Sequence, residues 1–491
     1  MRRSFLFLLG VSIVAVIPAG TLSAKDSCYE CHQVAGDKPT AQFAGDIHHR
    51  KGISCAGCHG GNPNTDDMDQ AMSKAAGFIG VPKGDAISKI CAACHGSPEK
   101  MKAFGSTLPT NQWASLQASA HANLPVAGRG NLVQCTTCHN AHGIVSVKNP
   151  ASPVYPLNAV NTCARCHSDA VLMRSYNPLL PVDQMEKYRT SVHGMRNAKG
   201  DPKTAECASC HGSHDIRPVK DVLAKVYPTN IPGTCAACHA SKEYMKPYGI
   251  PTDQFEQYTK SVHGVALLQK HDAGAPACNS CHGNHGAAPP GIASVSNVCG
   301  TCHALNAELF STSPHKKAFD DRKLPECETC HGKHNIAVVS DTLLGVSSES
   351  MCGRCHTKSS GGPGYRVAED MHAMTDSLVS AECTDIRLVD DAEQKGMEIS
   401  EAKFKLRDVR QARLQARTMV HAFNEQKFRD AVKPGFETAG VIESEANAAI
   451  KEYYFRRIGL AVATCIITLL ASALYLLVRR MEKKAGPGTK L

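Results

Sequence analysis

Eleven times along the chain, two cysteines stand three positions apart with a histidine directly after the second. The strings begin as CYECH (Cys28, Cys31, His32), CAGCH (Cys55, Cys58, His59), CAACH (Cys91, Cys94, His95) and CTTCH (Cys135, Cys138, His139). Next come CARCH (Cys163, Cys166, His167), CASCH (Cys207, Cys210, His211), CAACH (Cys235, Cys238, His239) and CNSCH (Cys278, Cys281, His282). CGTCH (Cys299, Cys302, His303), CETCH (Cys327, Cys330, His331) and CGRCH (Cys352, Cys355, His356) complete the set. They absorb all but two of the 24 cysteines, Cys383 and Cys465, so chance placement is excluded. Two thiols at this spacing add to the two vinyl groups of a porphyrin, and the adjacent imidazole then reaches the iron. Zinc takes four ligands from paired knuckles and gives no reason for a histidine after every pair. A disulfide framework leaves the same histidines unexplained. The motifs therefore read as eleven covalently attached haem c groups.

A second set of histidines recurs with the motifs. The intervals from Cys91 to Cys163 and from Cys163 to Cys235 are both 72 residues, which marks repeat units near 91–162, 163–234, 235–298 and 299–351. Each unit carries a middle histidine (His121, His193, His263, His315) and a trailing one three residues past its second motif (His142, His214, His285, His334). A trailing histidine cannot cross to the far face of its own porphyrin, so it should ligate a neighbouring haem and force haems into close pairs. The middle stretches VDQMEKYRTSVHG and TDQFEQYTKSVHG read as helices, capped by Asp183 and Asp253 and closed by Gly194 and Gly264. Met185, Tyr188 and Val192, and likewise Phe255, Tyr258 and Val262, would give each an apolar face toward porphyrin. The N-terminal pair departs from the unit: His48 and His49 take the middle place, and Asn62 stands where a trailing histidine would be. The haems at Cys28, Cys55 and Cys352 must draw on His48, His49, His271, His372 and His421. Of these, His48, His372 and His421 are the expected distal ligands, and every iron can be six-coordinate.

The ends address a membrane. Arg2 and Arg3, an apolar run from Phe5 to Ala19 and the small residues up to Ala24 form a signal-peptide layout over 1–24. An undecahaem domain over 25–360 follows. Residues 361–450 carry two apolar stripes, Val367, Met371, Met374, Leu378, Ala381 and then Ile399, Ala402, Leu406, Val409, Ala416, Val420, Phe423. With a turn at Gly396 they predict a helical hairpin, serving as a stalk or as a contact between copies of the chain. Within an anchor over 451–480, Ile458 to Val478 is free of charge and spans about 32 Å as a helix. Arg479, Arg480, Lys483 and Lys484 then place the tail 481–491 in the cytoplasm and the haem domain in the periplasm. Only 20% of residues are charged and 42% are hydrophobic, which excludes a disordered chain and a nucleic-acid coat. The fold expected is mainly α with extensive irregular loops: repeated two-haem units, a helical hairpin and one C-terminal transmembrane helix.

The CHGxH and SVHG patterns resemble the doubled-CxxCH cytochromes and the tetrahaem carriers of the hydroxylamine oxidoreductase-like superfamily, over roughly residues 25 to 356. The long closing helices also resemble octahaem hydroxylamine oxidoreductases, while the lack of a CxxCK string sets the chain apart from pentahaem nitrite reductases. The resemblance implies bis-His electron relays. The function expected is a membrane-anchored periplasmic cytochrome passing electrons between a membrane quinone-linked complex and periplasmic or outer-membrane redox partners, periplasmic cytochromes among them. The alternative is an oxidoreductase acting on a nitrogen or sulfur compound at one open haem. A chain cut after Ala24 and carrying eleven haems should have a mass near 57 kDa, each haem adding about 0.6 kDa. Intact-mass measurement on matured protein checks this, and fewer than ten haems would refute the count.

Overall fold

The computed structural model describes residues 26–127, 130–289 and 295–484; the expected signal segment 1–24 and most of the expected tail 481–491 lie outside them. The chain forms two compact units. One takes in the chain to Ile250 together with Pro276–Ala288, the other Pro251–Ala275 together with the chain from Pro289. Both are helical with long irregular connections, and the strand content of the described residues is one antiparallel pair, Pro125–Val126 with Gly130–Asn131.

In the first unit the helices are short, and the motifs decide where they stop. The first motif of a repeat ends a longer helix: Asp85–His95, Pro156–His167 and Ile231–His239 all finish on the motif histidine. The second motif makes a short helix of its own: Cys135–His139, Cys207–His211 and Cys278–His282. The two helices of each repeat pack together.

The middle stretches fold differently from the sequence expectation. Gln184–Thr190 ends before the serine, and Ser191 caps a new helix, Val192–Ala198, by accepting from the Gly194 N–H. In the second unit Gln254–Lys260 is followed in the same way by Val262–Gly264, capped by Ser261. Asp183 and Asp253 stand at the first position but make no side-chain cap. Gly194 lies inside its new helix, and Gly264 leads straight into the π-helical turn Val265–Gln269, so neither stops the helical run. A Cβ on either would fall 1.9 Å from the carbonyl oxygen of Tyr188 or Tyr258, so glycine is required because the new helix presses against the end of the old one. Val192 and Val262 belong to the second helix, which splits each expected apolar face.

The second unit closes with three long helices, Pro363–Gln394, Ser400–Met419 and Glu425–Lys484. The first two form the expected antiparallel pair, turned by Gly396 at φ +73°. The third packs on both, burying Phe428, Val432, Gly435, Ala439, Ile442 and Ala446 at alternating steps of three and four residues. The hairpin is thus a three-helix bundle, and stalk and apolar segment form one continuous helix with Pro434 inside it. It is the described helix long and apolar enough to cross a membrane. Arg413, which interrupts the second stripe, pairs with Glu382 at 3.3 Å, and Arg417 grips Asp341 through two bonds of 2.7 and 3.0 Å. The first pair joins two helices of the bundle, and the second ties the loop after the Cys327 motif to it. Gly435 packs against both other helices: a Cβ there would lie 2.7 Å from that of Ala412 and 3.1 Å from Leu378 Cδ1. Gly435→Val should overpack the crossing and cost about 1–3 kcal/mol, seen as a lower unfolding temperature in the detergent-solubilised chain.

Candidate functional site

Backbone conformation after each motif sorts the histidines. Following the motifs at Cys55, Cys135, Cys207, Cys278 and Cys327, the next residue is left-handed: Gly60 at φ +68°, Asn140 at +67°, Gly212 at +85°, Gly283 at +82° and Gly332 at +73°. All five pair a positive φ with an extended ψ, a region that glycine enters freely and other residues rarely. The reversal turns the chain outward at once, and in four of the five cases a trailing histidine follows two residues later. After the motifs at Cys91, Cys163 and Cys235 the next residue stays right-handed, and the chain runs on to a middle histidine instead.

These two routes bring imidazoles into pairs. In the first unit His59 lies opposite His142 with ring centres 6.1 Å apart, His95 opposite His48 at 6.0 Å, and His139 opposite His214 at 6.1 Å. His167 meets His121 at 6.2 Å, His211 meets His285 at 6.0 Å, and His239 meets His193 at 6.1 Å. In the second unit the pairs are His303 with His263 at 6.3 Å, His331 with His421 at 6.1 Å, and His356 with His315 at 5.8 Å. A metal–imidazole bond of about 2.0 Å on each side, plus about 1.1 Å from nitrogen to ring centre, separates two axial imidazoles by about 6.2 Å. The Nε2 atoms of His315 and His356 point at each other across 3.5 Å. With two thiols beside one ring of every pair, the donor set fits haem c.

Middle and trailing histidines are linked by one repeated backbone bond. The N–H of the residue before a middle histidine donates to the carbonyl two residues after a trailing one. It joins Ile47 to Ile144 at 2.8 Å, Ala120 to Ile216 at 2.7 Å, and Val192 to Ala287 at 3.1 Å, and in the second unit Val262 to Ile336 at 2.9 Å. Two residues before each middle histidine stands a hydroxyl, Ser119, Ser191, Ser261 or Ser313, and before His48 the carboxylate of Asp46. Asp46 is fully buried and accepts from the His48 N–H at 2.8 Å, from His48 Nδ1 at 2.8 Å and from the Ile144 N–H at 2.7 Å. Burial by itself would raise its pKa; the hydrogen bonds from His48 and Ile144 outweigh burial and hold the carboxyl below its usual value. The pattern Ser-or-Asp, any residue, His was available in the sequence and decides between His48 and His49.

Other named residues make contacts of a different kind. His49 stacks on Tyr29 at 4.8 Å and leans on Phe43. His271, at φ +55°, occupies an exposed turn. His372 packs on Gly345 and pairs with Asp376 at 3.3 Å, so among the described residues it faces no motif histidine, contrary to expectation. His32 bonds through Nδ1 to Asp37 Oδ2 at 2.5 Å. His282 Nδ1 bonds to the Ala288 carbonyl at 3.2 Å, and His334 follows Gly332 in the loop after Glu326–His331. Phe423 was expected in the helical stripe. It instead takes φ +43° and places its ring 4.2 Å from His315 and 5.1 Å from His356.

Burial pushes His121, His167, His193 and His211 below the ordinary histidine pKa, chiefly by desolvation. They stay neutral at pH 7 with a lone pair to offer. Since the unfolded chain binds the extra protons, stability is level above about pH 6.5 and falls as the pH drops below it. The thiols fall into a sequence of neighbours. Cys91 and Cys135, Cys163 and Cys207, and Cys235 and Cys278 are close enough to hydrogen-bond, as are Cys299 and Cys327 in the second unit. In the first unit Cys55 interacts with Cys28, Cys58 with Cys94, Cys138 with Cys163, and Cys210 with Cys235. In the second, Cys330 interacts with Cys352. Within each unit the motifs are therefore neighbours in chain order.

Residues 47–168 and 270–357 match the family described as cytochrome c3, and residues 12–60 match cytochrome c554 and c-prime. The C-type polyheme cytochrome OmcC of Geobacter sulfurreducens is 27% identical over 222 residues, which is 40% of this chain and 27% of that protein. This chain therefore matches only about a quarter of that relative's length. No solved structure matches significantly. Both family matches and the relative's description are of cytochromes, in agreement with covalently bound haem c.

Because a buried carboxylate on Nδ1 strengthens an axial imidazole as an electron donor, Asp46→Asn should raise the midpoint potential of one haem, the one at Cys91. It should also cost about 1.5–3 kcal/mol through the weakened hydrogen bonds. A spectroelectrochemical titration resolving a single upward-shifted component checks the assignment.

Proposed function

We propose that this chain, a multihaem c-type cytochrome, binds eleven haems at its eleven CxxCH motifs and conducts electrons through them by way of paired histidines. The observation that carries the reading is the set of facing imidazoles, each with ring centres close to the separation one iron requires. The proximal ligands are the motif histidines. The distal ligands are His48, His121, His142, His193, His214, His263, His285, His315, His334 and His421. The haem supplies one-electron exchange; the chain holds each ring in place, keeps it neutral and excludes water from it. Contact between motifs in chain order makes the route within each unit a single file.

In this proposal the long apolar helix fixes the protein to the cytoplasmic membrane, with the haem domain in the periplasm. The turn before that helix also supplies His421 and Phe423, so the helix that would enter the membrane begins beside two haem sites. Electrons would pass between a membrane quinone-linked partner and periplasmic or outer-membrane acceptors. The haem propionates offset the positive sequence charge of +9, so partners would present basic patches. A second reading, an oxidoreductase with one open haem, is favoured by His32, which among the described residues meets Asp37 and no facing imidazole.

His193→Ala should convert one haem, that of His239, to a high-spin form that binds carbon monoxide, in an otherwise low-spin protein. Loss of no low-spin haem would contradict the pairing. A stoichiometric high-spin haem in the unsubstituted protein that turns over nitrite or hydroxylamine would favour the open-haem reading.

A further inference from the structure

The facing imidazoles are not all alike. Ring planes are nearly parallel in His59–His142 at 13°, His211–His285 at 14°, His139–His214 at 20° and His331–His421 at 26°. They are crossed in His263–His303 at 36°, His315–His356 at 46°, His121–His167 at 54°, His193–His239 at 60° and His48–His95 at 89°. The two ranges do not overlap. Taken in chain order, the motif histidines alternate: His59 near-parallel, His95 crossed, His139 near-parallel, His167 crossed, His211 near-parallel, His239 crossed. In the second unit His303 is crossed, His331 near-parallel and His356 crossed.

The alternation has a local cause. A near-parallel pair joins a motif followed by a left-handed residue to a histidine delivered by a loop or by the 3-10 turn Val420–Ala422. Every crossed pair joins one of the other motifs to a middle histidine set one or two residues into a helical turn behind its serine or aspartate. Ring orientation is held at several sites. His59 Nδ1 bonds to the Gly80 carbonyl at 2.8 Å and His421 Nδ1 to that of Thr418 at 2.9 Å, while His48 is held by Asp46. Phe423 stacks at 19° on His356. The Cys278 motif, with its short helix and Gly283, has the local structure of the near-parallel kind.

We propose that the haems of this chain form two electronic classes that alternate along it, set by whether the axial imidazole planes are near-parallel or crossed. The inference rests on the bis-histidine reading above. Each imidazole has a filled π orbital perpendicular to its ring, which overlaps the iron dπ orbital lying in that direction. Near-parallel rings act on the same dπ orbital, lift it from its partner and stabilise the ferric hole there. Crossed rings divide the effect, leave the two orbitals closer in energy and stabilise the ferric state less. Near-parallel haems therefore have the lower potentials at equal burial, and an electron moving in chain order meets lower and higher potentials in turn.

Low-temperature electron paramagnetic resonance of the fully oxidised, full-length protein tests this, because low-field g-values rise as the dπ orbitals approach degeneracy. Two populations are expected, one rhombic and one with larger low-field g-values, the 89° pair giving the most anisotropic signal. His214→Ala should remove intensity from the rhombic population and His193→Ala from the anisotropic one. Asp46→Asn, which keeps both ligands, should move the most anisotropic signal alone. A single rhombic population in the unsubstituted protein, or loss from the same population in both alanine variants, would overturn the alternation. Near-infrared magnetic circular dichroism reports bis-histidine ligation whatever the ring angle. If its band is present and the two populations are absent, the alternation fails and the functional reading stands; if the band is absent, the functional reading fails first.

Discussion

An iron bound by two imidazoles needs two neutral rings, about 6 Å apart between centres, with their lone pairs pointing at one another. A polypeptide rarely holds two buried imidazoles in that relation, because each loses hydration and gains no partner. This chain repeatedly sets two histidine rings at that separation, and much of its architecture serves to place them. Short helices end on the proximal histidine. Left-handed residues reverse the chain immediately afterwards, and serine or aspartate caps start the turns that present the opposite ring.

The repeated bond between the residue before a middle histidine and the carbonyl beyond a trailing one links consecutive sites. In the first unit it fixes His48 beside His142, His121 beside His214 and His193 beside His285. Each of these histidines faces a motif from a different part of the sequence. His142, for example, reaches back to His59, while His48 reaches forward to His95. Removing one unit would thus strip ligands from its neighbours on both sides, which gives the haem array its cohesion without a large apolar core. The conventional core lies in the three-helix bundle, around Met371, Leu378, Val409, Phe428 and Ile442.

Much of this was legible in the sequence. The motifs declare the haem chemistry outright, and the mainly helical character with irregular loops follows from their density. The middle and trailing histidines could be singled out by repetition alone. Their partners could not, because pairing joins motifs from neighbouring repeats and depends on whether the residue after the motif is left-handed. The residue type alone does not carry that information, since Gly96 after the Cys91 motif stays right-handed whereas Gly60, Gly212, Gly283 and Gly332 take positive φ. The serine before each middle histidine looked like part of a longer helix, since a break by side-chain capping leaves the apolar spacing intact. His372 sat as well placed in its stripe as His421 did in its own, but the bundle turns it onto Gly345 and Asp376. The third helix of the bundle was not legible because Pro434 lies within it and half of its buried positions are alanine or glycine.

The central claim is that facing histidines from different repeats share one metal. It is tested most directly by locating the irons in the haem-loaded protein, by anomalous diffraction or by high-resolution cryo-electron microscopy. The account predicts an iron between the rings of His59 and His142, of His139 and His214, and of His167 and His121, with the remaining pairs occupied in the same way. Irons bound to the motif histidines but capped by water, methionine or histidines from their own repeat would contradict it.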